Sequence, residues 1–215
     1  IPFPPGGAPD IVARIIGDKL SASLGQRVIA DNKPGAGGNI ASEAAAQAAP
    51  DGYTLYLVAH PPFTLNPMLY SRTAYDAVRD FAPVALVGSQ WFMVAVNPAT
   101  LPVRSIEELV AYAKARPGQL SYASSGAGSP QHLGMEFLKL AAGLDIVHVP
   151  YKGASLATLD LVSGAIPVAL TSVAVAGADL AAGRIVPRAV TSRARAPAYP
   201  NLPTVAETVA PGYEV

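Results

Sequence analysis

Two short stretches carry residue types able to hold a small anion. The first is Ile1-Pro2-Phe3-Pro4-Pro5-Gly6-Gly7-Ala8-Pro9-Asp10; the second runs from Leu120 through Ser124-Ser125-Gly126-Ala127-Gly128-Ser129 to Pro130 and His132. In both, a strand-like run meets a glycine-rich elbow, a proline and a helix-like segment. Glycine lets the backbone turn sharply, and proline suits a first helical turn, where its missing N–H costs nothing. Such an elbow aims unsatisfied N–H groups and the positive end of a helix dipole in one direction, which attracts an anion. Pro9 and Pro130 stand 121 residues apart, so the duplication predicts two lobes closing on one small anionic ligand. Each feature also has a plainer reading. Gly6 and Gly7 fit an ordinary strand-to-helix turn, and Ser124, Ser125 and Ser129 fit caps for the helix starting at Pro130. Asp10 reads as an N-cap or first-turn residue, because its charge would repel an anion; placed near the first elbow, it favours a ligand that also carries an amino group.

Other chemistry is thinly represented. Thr171 and Ser172 end a predicted strand, where open α/β sheets place ligand groups. Trp91 is the sole tryptophan; packing is its default role, but as a pocket wall it would favour an aromatic or longer acid. His60, His132 and His148 share no metal-ligand spacing, and His132 with Glu136, one helical turn apart, reads as a surface or helix-start contact. Cysteine is absent, which removes disulfides, thiol nucleophiles and thiolate metal sites together. There is no G-x-S-x-G elbow, Gly126-x-Gly128 is followed by Gln131 where a dinucleotide fingerprint wants glycine, and no phosphate loop occurs. No cofactor and no metal are expected. The enzyme alternative is a serine hydrolase pairing Ser124 with His148 or His132, since distance in sequence does not forbid proximity in space.

The elements that must position these residues alternate. Helical spacing runs from Asp10 to Leu24 with Gly25 as a stop; Val28 to Ala30 is a short strand; a loop at Asn32 to Gly38 leads to a helix over Ile40 to Ala49, and Tyr53 to Val58 is a strand. Strand character resumes from Val84 to Val96. Ser105 and Glu108 make a capping box for a helix ending near Arg116. Then come the second elbow with a helix to Ala142, a strand at Ile146 to Val149, a helix at Ser155 to Val162, and strands at Pro167 to Thr171 and Ala189 to Ser192. Tyr213 to Val215 reads as the start of another strand. This is an α/β order repeated twice. It predicts residues 1–97 plus 193–215 as one lobe and 98–192 as the other.

Composition agrees with a folded chain: 215 residues, 51% apolar, 14% charged. Fifteen basic residues balance fifteen acidic ones, which argues against nucleic-acid or polybasic membrane contacts. No apolar run reaches the roughly 18 residues that span a bilayer. The opening Ile1-Pro2-Phe3 reads as the end of a strand, so a signal sequence is expected to lie outside this fragment.

Phe3 to Gly7 with Asp10, Asn32-Lys33-Pro34-Gly35-Ala36-Gly37-Gly38, Pro50 to Thr54, Asn66-Pro67, Asp80-Phe81, Tyr122 to Ser129 with His132-Leu133, His148-Val149-Pro150-Tyr151-Lys152-Gly153, Ala189 to Ser192 and Leu202 to Thr204 together resemble the Bug family of extracytoplasmic solute-binding proteins. The resemblance covers essentially the whole chain. It implies a two-lobed, periplasmic-binding-protein-like II fold, with α/β lobes joined by crossover strands and a carboxylate held in a cleft. The ligand would be a dicarboxylate, an acidic amino acid or an aromatic acid, bound by Phe3, Pro5, Gly6, Gly7, Asp10, Trp91, the Ser124–Ser129 loop, Tyr151, Thr171 and Ser172. It further implies a periplasmic, monomeric receptor that serves the membrane permease of a tripartite tricarboxylate transporter. Family members usually extend beyond both ends of this chain, so the first lobe is expected to lack closing elements. A carboxylate-sensing signalling subunit would use the same cleft.

Overall fold

The computed structural model describes residues 1–215, which divide into two compact units, Ile1–Val87 and Gly88–Val215.

The first unit is built on helices. α1 (Ala8–Leu24) follows the first elbow with proline in its first turn and ends at Gly25, whose φ of 63° closes the helix in the left-handed region. A 3₁₀ turn at Ala36–Gly38 leads into α2 (Asn39–Ala46), and two short helices follow, α3 (Pro61–Thr64) and α4 (Asn66–Leu69). Asn66 Nδ2 donates to Gly37 O at 3.0 Å and to Asn39 Oδ1 at 2.6 Å. Tyr56, Phe63, Tyr75 and Phe81 pack with ring centroids 4.8–6.3 Å apart. Several motifs read from the sequence in this half are therefore braces and core.

Val28 to Ala30, Tyr53 to Val58 and Val84 to Phe92 are not strands, contrary to expectation. They run without a ladder partner, and many of their apolar side chains stay in water: Ile29 is 78% exposed, Tyr53 90% and Leu86 90%, whereas Phe92 at the end of the last stretch is buried. Beta propensity reports fit to a pleated, half-buried surface, and that surface is missing here. Backbone pairing in this region is limited to the N-terminus, where Ile1 N donates to Asp31 O and Lys33 N to Ile1 O.

The second unit holds a five-stranded sheet in the order β3-β2-β4-β1-β5, from β1 (Met93–Val96), β2 (Ser121–Ser124), β3 (Val147–Pro150), β4 (Val168–Thr171) and β5 (Val186–Val190). β2 is parallel to β3 and β4, whereas β1 runs antiparallel to β4 and β5. Alternation along the strands splits the core into two layers. Val94, Val96, Tyr122, Val168 and Leu170 pack with residues of α5 (Ile106–Lys114), α6 (Pro130–Ala142) and α9 (Val205–Thr208). Ala95, Ala123 and Ala169 face α7 (Ala154–Ser163) and α8 (Val173–Ala181). Small residues on that face let two helices lie close to the strands.

The helix expected between Ser105 and Arg116 is present: Ser105 Oγ accepts from Glu108 N, and the Glu108 carboxylate accepts from Arg104 N. Two boundaries differ from expectation. Residues 88–97 and 193–215, assigned above to the first lobe, fall in the second compact unit. β1 sits inside its sheet. Val190 bridges to Thr204, Val215 N donates to Thr191 O, and Tyr213 OH donates to Gly134 O, which holds the C-terminal stretch on the same core. Tyr213 to Val215 is not a strand.

Candidate functional site

Chain direction decides where the second unit can bind anything. From β2 the chain crosses through α6 to β3, on one side of β2, then returns through α7 to β4, on the other side. α6 and α7 lie in opposite core layers. A crevice must open where the two crossovers part, outside the carboxyl ends of β2 and β4, which is where open α/β sheets bind ligands. Ser124 ends β2 and Thr171 ends β4. The sheet therefore brings Ser124–Ser129, Tyr151, Thr171 and Ser172 to one edge. Because β1 is antiparallel and pairs Met93 with Thr171, Trp91 also lies at that edge.

The second elbow is largely wired to itself. Ser124 Oγ lies 2.6 Å from His148 Nε2 and accepts from Gly126 N at 3.1 Å. Ser125 Oγ donates to Gln131 Oε1 at 2.8 Å, and Gly128 N donates to His132 Nδ1 at 3.1 Å. Ser129 caps α6 by accepting from His132 N at 3.2 Å, as its plainer reading expected. These bonds and Ser129 N to Gly126 O consume the amides of Gly126, Gly128 and Ser129 and leave those of Ser125 and Ala127. Gly126 holds φ at 126°, and a Cβ there would meet Tyr151 O at 3.3 Å. Only glycine lets this loop lie so close to the one after β3.

Two more helices start at the same edge. The N-cap residues of α7 and α8, Gly153 and Ser172, make no side-chain cap bond. Thr171 Oγ1 lies 3.3 Å from Thr158 Oγ1 of α7, both buried. The Tyr151 hydroxyl donates to Asp160; burial and that carboxylate push it up to about 12. Trp91 packs edge-on to Tyr199 at 6.3 Å, in a cluster with Met93, Val190 and Ala196. The edge thus offers amides, hydroxyls and positive helix ends with no basic side chain among the residues named, a set suited to an anion held by hydrogen bonds.

In the first unit, Phe3, Pro5, Gly6, Gly7 and Asp10 form their own elbow. Gly6 has φ 81°. Its N–H is not free as expected: it donates to Asp10 Oδ2 at 2.9 Å, and Gly7 N lies 3.5 Å from Pro4 O. Asp10 also accepts from Arg14, and from Asn32 Nδ2 at 3.0 Å. Burial raises its carboxyl, but the Arg14, Gly6 and Asn32 bonds outweigh that and hold it at about 2.

Sequence reasoning offered His148 or His132 to Ser124 only as a hydrolase partner and did not foresee that the two rings stack beside the loop. The rings stack at 4.1 Å between centroids, with Tyr122 on the far side of His148 at 4.9 Å. The signal was available, since each lies within a few residues of a glycine loop, but contact between them depends on the β2–β3 pairing. Ser124 and His148 do approach as a hydrolase pair would. Ser124 is only 1% exposed, however, and its oxygen is engaged by the loop. A depression of about 460 Å³ lined by Lys139, Leu140 and Asp145 sits at the other end of α6, away from the elbow.

The second unit is thus an open α/β sheet whose crossovers part at a donor-rich edge. A family model described as "Tripartite tricarboxylate transporter family receptor" matches residues 12–215, and the chain belongs to that family. Among its relatives is protein BugT of Bordetella pertussis, 36% identical over 208 residues, or 96% of this chain and 64% of BugT. Another is the UPF0065 protein in the tcbD-tcbE intergenic region of Pseudomonas sp. (strain P51), 41% identical over 216 residues. The chain spans 64% of the length of these relatives. Among solved structures, an R. palustris protein with adipate is similar at TM-score 0.95 and 37% identity, covering 100% of this chain and 72% of that one. MatC from Rhodopseudomonas palustris with bound malate follows at 0.90 and 30%, covering 100% and 73%. The periplasmic binding protein BugD gives 0.88 and 32%, covering 100% and 71%. The Bug resemblance and the α/β fold class are borne out.

Proposed function

We propose that this chain is the receptor of an extracytoplasmic uptake system, that it captures a small dicarboxylate, and that it delivers it to the membrane permease of a tripartite tricarboxylate transporter. One observation carries the reading: the carboxyl ends of β2 and β4, at the point where the crossovers part, bear the Ser124–Ser129 loop and Thr171–Ser172. The adipate and malate found with its structural relatives favour a dicarboxylate over the acidic amino acid and aromatic acid that the sequence left open. In this reading the Ser125 and Ala127 amides and the Ser172 hydroxyl meet one carboxylate. Capture is completed by hinge closure. Closure follows when a ligand binds one arrangement of the units better than the other.

The test is a thermal-shift panel of adipate, malate, glutamate and benzoate. A ligand at 100 times its dissociation constant adds ~2.7 kcal/mol to stability, which is easily read. Stabilisation by a dicarboxylate is expected, with a fall in radius of gyration by small-angle scattering. No stabilisation across the panel would overturn the reading. The close Ser124–His148 pair favours a hydrolase as the second reading, and turnover of a p-nitrophenyl ester, lost in Ser124→Ala, would establish it.

A further inference from the structure

The His132–His148 pair is connected to the ligand loop by atoms whose roles are set by protonation. A backbone N–H can only donate, so His132 Nδ1, which accepts from Gly128 N at 3.1 Å, is the bare nitrogen, and the proton of that ring is on Nε2. Adding a proton to Nδ1 would set two donors face to face, and the Gly128 bond must break. His148 differs. Its Nε2 is 2.6 Å from Ser124 Oγ, and the same hydroxyl has Gly126 O within 3.2 Å, so Ser124 can turn its proton to that carbonyl and accept from a protonated ring. The two imidazoles are stacked at 4.1 Å, where two positive charges repel.

We propose that His132 and His148 are positioning residues of the ligand loop, that the neutral pair holds Gly128 and Ser124 in the binding conformation, and that carboxylate binding is therefore linked to release of a proton. The proposal rests on the reading that this loop contacts the ligand. All the groups around the pair enter the balance. On α6, the Glu136 carboxylate accepts from Tyr122 OH and from Lys139 Nζ, both at 2.7 Å. Glu136 favours the charged rings and Lys139 opposes them. Tyr122 of β2 covers the other face of His148. Desolvation acts in the same direction as Lys139 on both rings, and His132 further lowers His148. Both are thus neutral at neutral pH and take up a proton only on acidification below the ordinary histidine range.

The test is adipate affinity by calorimetry from about pH 7.5 to about pH 5, compared with His132→Asn, whose amide oxygen can replace Nδ1 as acceptor for Gly128 but does not titrate. Wild-type affinity should fall on acidification by up to about tenfold per pH unit, the limit for one linked proton. H132N should lose the His132 share of that dependence and keep only what His148 and the ligand's own titration contribute. Linkage is reciprocal, so saturating adipate should move the imidazole proton resonances of the wild type to still lower titration midpoints. This reading needs no variant to fold. Identical pH profiles for wild type and H132N, or tighter binding in acid, would overturn the proposal, the latter because the rings would then be acting as charges on the ligand. Absence of adipate binding at every pH, with malate equally inert, would instead overturn the receptor reading on which it rests.

Discussion

Asp10 places a carboxylate against a glycine elbow, and its hydrogen bonds show what it does there. Gly6 N–H, Asn32 Nδ2 and the Arg14 guanidinium all converge on a side chain that is 4% exposed. Replacing it with alanine would remove the charged acceptor that these donors share, at about 1–3 kcal/mol. The sign with pH follows from its depressed carboxyl. The folded state binds this proton less readily than the unfolded chain does, so the contribution is complete above the ordinary value near 3.8 and is lost as pH falls through about 2. Asp10→Asn should be less stable than wild type at neutral pH, and the gap should narrow progressively below about pH 4; chemical denaturation across that range reads it, and a gap independent of pH would show that the charge is not what braces the elbow. Gly7, by contrast, has ordinary φ of −76° and room for a Cβ, with Pro4 O at 3.6 Å. Only Gly6 is conformationally required in that elbow.

At the scale of elements, the Ser124–Ser129 loop is tightly constrained. Gly126→Ala would force an L-residue to φ 126° and press a methyl against Tyr151 O, costing about 1–3 kcal/mol of local strain. The loop would be pushed off the β3 side, so dicarboxylate affinity should fall at least tenfold while far-UV circular dichroism stays unchanged; unaltered affinity would separate this loop from the ligand. Much of the loop was legible in the sequence, because glycine, serine and proline state their local conformations: the α6 cap at Ser129, the start at Pro130 and the end at Ala142 all appear where those residue types place them. α8 was not read, as Val173–Ala181 is alanine-rich with no strong periodicity and follows a strand without a turn signal. The strand order was beyond reach too. That β2 sits between β3 and β4, and that the crossovers part there, depends on which faces of α6 and α7 find the sheet, and both helices present apolar residues able to cover either side. The histidine stack inherits that uncertainty, since it exists only because Tyr122 pairs with His148 across β2 and β3.

Across the whole molecule, the two units hold their backbones by different means, and this has a measurable consequence. In the second unit, extended residues are joined in a five-stranded ladder and covered on both faces, so that Val94, Ala95, Ala123, Ala169 and Val190 are buried at 0–1% exposure. In the first, apolar residues of strand-like type, Tyr53, Leu55 and Ile29 among them, are extended yet solvent-exposed, and the unit relies on helices and its aromatic cluster. Amide exchange depends on the free energy needed to expose each N–H, which is close to zero for an amide without a partner and approaches the global value in a core strand. Hydrogen–deuterium exchange of this chain should therefore show early, near-complete labelling over 53–58 and 84–90, and slow labelling over 93–96, 121–124 and 168–171. α1 should fall between, being bonded internally but exposed along one side. Equal protection of 53–58 and 93–96 would mean that the first unit closes a sheet of its own in solution, and the exposed valines and tyrosines of that half would then be core residues rather than surface.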